Sequence, residues 1–239
     1  MTQHQAVGTS AAAVAGTGAS GCLSFGTAGA VDLIAAGSIA CTALVTARIG
    51  ARMTALFNPV QMSRAFAVFQ MAVGPMVPLK AMITSDKKAA AKEPKADSSS
   101  ASPSASSAGL VPQLPPTSQI LQLMATGCVA GLAAGMFGIG GGVIITPALC
   151  MLTDMPYACV LGTTLTSMVP PSLVSVATHR QLGNVVVSAV LPLVAGSAIG
   201  AFASGQVAVR VPEEPLQWAF ALVIFSQGAS KFLALRGKI

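Results

Sequence analysis

The chain runs to 239 residues, of which 53% are apolar and only 8% charged, with a net charge of +6. Soluble domains carry about 25% charged residues, so a disordered chain, a disulfide scaffold and an ordinary soluble enzyme are excluded. No charged side chain falls between Asp97 and Asp154, between Arg180 and Arg210, or between Glu214 and Lys231. Such spacing describes an integral, multi-pass membrane protein whose first partner is the lipid bilayer.

Crossing a hydrocarbon core of about 30 Å takes roughly 20 residues of helix. The apolar runs are long, continuous and rich in Ala, Val, Leu and Gly, unlike the short alternating strands of a closed barrel. The prediction is an all-α helix bundle of about seven spans. They fall near 7–25, 31–51, 62–83, 118–137, 158–178, 185–207 and 215–235. An eighth apolar stretch, Val143–Leu152, is too short to span alone and reads as a re-entrant or broken helix. Between the third and fourth spans, residues 85–117 are polar and low in complexity (SDKKAAAKEPKADSSSASPSASSAG), the composition of a disordered linker.

The linker separates two related blocks, 1–84 and 118–239. A shift of 154 positions lays Gly8-Thr9-Ser10 on Gly162-Thr163-Thr164, Gly29-x-Val31 on Gly183-x-Val185, and Ala65-Phe66-Ala67 on Ala219-Phe220-Ala221. Two repeats of helical hairpins are the usual build of secondary transporters, with the substrate held where the repeats meet. The second block has a helix, a glycine run and a short apolar piece ahead of Gly162, whereas seven residues precede Gly8. The first repeat is therefore expected to lack its opening element, through truncation or a start assigned inside a longer reading frame. If the glycine-broken fourth segment counts as one span, most Lys and Arg share one side with the linker and the C-terminus, which predicts a cytoplasmic linker. If that segment enters and leaves on one face, the charges balance and set no orientation.

The stretch from Gly135 to Leu149, GMFGIGGGVIITPAL, carries the most chemistry. Gly138, Gly140, Gly141 and Gly142 cannot sustain a helix, and Pro147 removes a further backbone donor. Bare backbone in lipid survives only where protein or a wet cavity supplies partners. A helix restarting near Val143 would aim its free N–H groups and positive dipole end at such a cavity, a seat for an anion. The competing account is close helix packing by small residues, as in Gly131-xxx-Gly135 and Gly196-xxx-Gly200. No GK[ST] or GxGxxG register supports a nucleotide site.

Downstream, Thr163, Thr164, Thr166 and Ser167 follow Gly162 at the start of a span that Pro170 and Pro171 interrupt. Their hydroxyls either donate to an oxyanion without a buried charge or bond back to helix carbonyls beside the prolines. His179, Arg180 and Asn184 follow as a cluster. Arg180 could attract an anion and His179 could carry a proton, or both sit at the membrane surface. Asp32, Arg48, Arg52 and Arg64 flank spans where reaching the interface suffices. The five cysteines show no CxxC spacing, so no metal and no redox cofactor is expected. Lys and Arg are not interleaved with aromatics, so no nucleic-acid partner is expected.

The run GIGGGVIITPAL, followed by GTTLTSMVPPSL, HRQLGNV, AGSAIGAFASGQVA and PEEPLQWAFALVI, resembles the sulfite exporter TauE/SafE family across about residues 120–235. The first block, with AVGTSAAAVAG and FGTAGAVD, resembles the later part of that family's first repeat. The resemblance implies a permease of about eight spans in two repeats that moves small sulfur-containing anions such as sulfite or organosulfonates. By position, Gly140, Gly141, Gly142 and Pro147 match its glycine-proline motif, and Gly162, Thr163 and Thr164 match its GT[ST] motif. The first repeat's own glycine-proline motif is missing, so transport calls for assembly with another copy, a homo-oligomer.

Together these features predict a secondary transporter of a small anion, gated by rocking of one block against the other. The candidate substrate-binding residues are Gly138, Gly140, Gly141, Gly142, Pro147, Gly162, Thr163, Thr164, His179, Arg180 and Asn184, with Gly8, Thr9 and Ser10 as repeat mates. The alternative is a truncated, non-transporting member acting as a membrane subunit or scaffold. Two histidines, with no carboxylate pair or CxxC cluster, leave little for an intramembrane enzyme to work with.

Overall fold

The computed structural model describes residues 2–54, 64, 67–68, 70–71 and 117–236. The expected third span, apart from five of its positions, and the linker up to residue 116 lie outside the described residues. The described elements are helices throughout: α1 Gln3–Thr27, α2 Leu33–Met53, α3 Thr117–Phe137, α4 Gly142–Leu152, α5 Tyr157–Gln181, α6 Val187–Ala208 and α7 Glu213–Arg236.

Their ends follow local chemistry. A capping box opens α1: the Thr2 hydroxyl accepts from the Gln5 amide at 3.3 Å, and the Gln5 side chain accepts from the Thr2 amide at 3.0 Å. At α2 the Asp32 carboxylate accepts from the amides of Ile34 and Ala35, both at 2.9 Å. The Tyr157 amide at the start of α5 donates to Glu213 at 3.2 Å, which ties α5 to the first turn of α7. α1 and α5 end alike, at Gly29 with φ +68° and Gly183 with φ +72°.

Helices α2, α3, α5 and α6 are each long and apolar enough to cross a membrane. α1 and α7, with 25 and 24 residues, have the length to do so. The bundle is apolar outside and partly polar inside. Leu191, Leu33 and Ile199 are 77%, 73% and 72% exposed, whereas Thr163, Ser167, Ser175 and His179 are buried. Water would penalise that outer face, but hydrocarbon does not.

The two helices of each hairpin, α1–α2 and α5–α6, pack mainly on helices outside the hairpin. α1 packs on α5 and α6, while α2 packs on α3 and α5. The α2–α3 seam is a backbone-to-backbone fit. Gly127, Gly131 and Gly135 of α3 lie against the carbonyls of Ile39, Ala43 and Ala47, and the Thr42 hydroxyl donates across to the Met124 carbonyl at 2.8 Å. The α1–α6 seam uses serines. Ser24 donates to the Phe202 carbonyl at 3.1 Å, and Ser197 donates to the Ala13 carbonyl at 3.0 Å. Packing thus accounts for Gly131 and Gly135 but not for Gly196 and Gly200, which have no neighbour within 4 Å of the Cβ position among the described residues. On this point the small-residue expectation is corrected: that part of α6 faces open space.

Candidate functional site

The helix breaks at the glycine run. α3 stops at Phe137 and α4 restarts at Gly142. Between them Gly138, Gly140 and Gly141 take φ of +66°, +69° and +78°, a region that L side chains rarely enter. The loop is wedged among α1, α3 and α5. A Cβ at Gly138 would strike the Val7 carbonyl, one at Gly140 would strike Val14, and one at Gly141 would lie 2.7 Å from the Ala130 carbonyl. Ser10 on α1 holds the loop by donating to the Gly138 carbonyl at 3.2 Å. No side chain caps α4, and the first amides of a helix have no intrahelical acceptor. Pro147, buried within α4, brings no N–H to the Val143 carbonyl one turn earlier.

A cavity of about 1090 Å³ adjoins this restart. Gly142, Val143 and Thr146 of α4 face it, with Thr164, Leu165 and Met168 of α5 and parts of α1, α6 and α7. The walls are mostly apolar, and the polar side chains among them are Thr17, Thr146, Thr164, Ser197 and Ser204. Thr146 and Thr164 pair through their hydroxyls at 3.4 Å. The end of the broken helix and two buried hydroxyls therefore meet at one wall of a hollow with no charged side chain among the described residues that line it.

The predicted residues divide between this cavity and two clasps. Gly142 and Thr164 line the cavity. Gly138, Gly140 and Gly141 shape the loop behind it. Gly162 and Thr163 instead hold the start of α2: Gly162 lies against the Ala30 carbonyl, and Thr163 accepts from the Asp32 amide at 2.9 Å. Gly8 and Thr9 do the same for α6. Gly8 lies against the Asn184 carbonyl, and Thr9 accepts from the Val186 amide at 3.1 Å. Both clasps obey the shift of 154 positions, since 9 maps to 163 and 32 maps to 186. Replacing either threonine by valine keeps the shape but leaves a part-buried amide unpaired. Thr9→Val and Thr163→Val are each expected to cost about 1–2 kcal/mol in chemical denaturation, and serine should restore most of it.

His179 is fully buried between α5 and α3, with Nε2 3.0 Å from the Gly135 carbonyl. Arg180 is exposed and Asn184 half-buried. Thr166 and Ser167 bond back to the carbonyls of Gly162 and Thr164, both at 2.8 Å. The sequence does not mark Thr146, because a lone threonine in an apolar run carries no pattern. Its spacing after the glycines was the available signal.

The family model described as "Sulfite exporter TauE/SafE" matches residues 1–231. The chain belongs to this family. A TauE/SafE-related segment also aligns with a relative from Haemophilus influenzae described as "Probable membrane transporter protein", 32% identical over 124 residues. The alignment covers 49% of this chain and 47% of the relative, so the chain spans about half the length of that protein. No solved structure matches this TauE/SafE member.

Proposed function

We propose that this protein carries a small oxyanion, sulfite or an organosulfonate, across the membrane as a secondary transporter. The observation that carries this reading is the cavity beside the restart of α4, where Gly142, Thr146 and Thr164 meet. Helix-start amides and hydroxyls satisfy an anion by hydrogen bonding and by the positive end of the helix dipole. The described lining, which holds no charged side chain, grips it without the salt-bridge strength that would prevent release. Roughly 300–1,000 Å³ is the usual range for pockets that enclose small molecules, so the hollow has room for an anion and its attached carbon skeleton. Family membership supports the transport class, and the hydroxyl wall supports the oxyanion.

The test is flux of radiolabelled sulfite in proteoliposomes containing the purified chain. Thr146→Val and Thr164→Val remove the hydroxyls while keeping volume. Each is expected to lower flux about tenfold, the loss of roughly 1.4 kcal/mol of hydrogen bonding, with little change in thermal stability. Undiminished flux in both variants would remove the site, and no flux from the wild-type chain would favour the scaffold reading.

A further inference from the structure

Beyond the cavity, α5 turns a second polar row inward. Thr166, Ser167 and Thr178 settle their hydroxyls on α5's own carbonyls, each at 2.8 Å. Ser172 and Ser175 do not. Their Oγ atoms, and Nδ1 of His179, are buried without a hydrogen-bond partner among the described residues, and the three residues are 1%, 0% and 0% exposed. Positions 172, 175 and 179 recur at helical spacing and share one face of α5. A single unpaired buried polar atom is uncommon, and two hydroxyls and a ring nitrogen left unpaired in one row call for a functional cause.

The row begins where the cavity ends. Met168 lines the cavity and stands one turn before Ser172. A Cβ at Gly140 would lie 2.7 Å from the Met168 methyl and 3.2 Å from the Ser172 hydroxyl. Met168, an unbranched and adaptable side chain, thus lies beside both the hollow and the approach to Ser172.

The donors and acceptors specify what fits. The Gly135 carbonyl can only accept, so His179 Nε2 carries a proton and, in the neutral ring, Nδ1 is an acceptor. The two serine hydroxyls are donors. Arg180, next along the chain, is exposed, and His4 is the titratable group on α1 nearest the ring. Without a cation in the row, a dianion would be desolvated unpaired, at about four times the cost of a monoanion because that cost grows as charge squared. A singly protonated oxyanion offers an O–H to Nδ1 and bare oxygens to the serines.

We infer that Ser172, Ser175 and His179 form a site for a singly protonated oxyanion of the hydrogensulfite type, entered from the cavity past Met168. The inference rests on the transporter reading above and names the form of substrate that this path takes.

The chain has two histidines, so His4→Gln leaves the His179 ring as the sole histidine signal in nitrogen NMR of the protein in nanodiscs. At fixed pH and ionic strength, sodium hydrogensulfite and sodium hydrogencarbonate are each added, with sodium sulfate as the dianion. The expected result is a saturable shift of Nδ1 with both protonated anions and none with sulfate. The double variant Ser172→Ala/Ser175→Ala should weaken that binding tenfold or more while its melting temperature holds or rises. Response to hydrogencarbonate alone would sink the sulfur reading and leave the site standing. No shift with either protonated anion, an equal shift with sulfate, undiminished binding in the double variant, or a lowered melting temperature in it would each overturn the inference.

Discussion

Gly141→Leu is expected to abolish the proposed anion flux and to destabilise the protein by about 3 kcal/mol. The backbone there has φ +78°, which costs a side-chain-bearing residue about 1–2 kcal/mol. The new Cβ would also lie 2.7 Å from the Ala130 carbonyl and 3.1 Å from the Ala130 side chain, and forcing groups into filled space costs about 1–3 kcal/mol more. Gly142→Ala is the internal control. Its Cβ would meet chiefly the Met168 sulfur at 2.9 Å, on a flexible side chain that can give, so a loss below about 1 kcal/mol is expected. Thermal unfolding in detergent and flux in liposomes check both. Equal effects at the two positions would refute the account of the loop.

The second large effect is expected at the clasps. Gly8→Ala would drive a methyl into the Asn184 carbonyl and to 2.9 Å from the His179 Cβ. Gly162→Ala would drive one into the Ala30 carbonyl and to 2.8 Å from the Phe25 Cβ. Backbone carbonyls cannot rotate aside as a side-chain tip can, so each change should cost about 3 kcal/mol. Because the two positions have equivalent surroundings, their losses should match within the error of chemical denaturation. Tolerance at one and collapse at the other would show that the clasps bear unequal loads.

Much of the architecture was legible because helix length and glycine act locally, whereas Pro170 and Pro171, expected to interrupt a span, lie inside an unbroken α5. The expected spans 118–137, 158–178 and 185–207 fall on α3, α5 and α6 within a few residues, and Val143–Leu152 falls on α4. The glycine run breaks the chain because three successive left-handed or flexible positions cannot continue a helix, whatever surrounds them. The partner of each hydroxyl was not legible. Thr163 and Thr164 are adjacent in sequence, yet one fastens α2 and the other faces the cavity, since a helix turns neighbouring side chains about 100° apart. His179 gave no sign of burial, because its acceptor, the Gly135 carbonyl, comes from a helix forty-four residues away. Ser172 and Ser175 look in sequence like the back-bonding serines beside them, and only their surroundings separate the two kinds.

The crossed attachment of the helices has a mechanical consequence. Thr9 of α1 is fastened to the start of α6, and Thr163 of α5 to the start of α2, so each hairpin is pinned into the other instead of closing on itself. Pulling residues 2–54 away from residues 157–208 as two rigid pieces would have to tear both pins at once. Any piece that keeps both pins intact is therefore drawn from both halves of the sequence, α1 staying with α6 and α2 with α5.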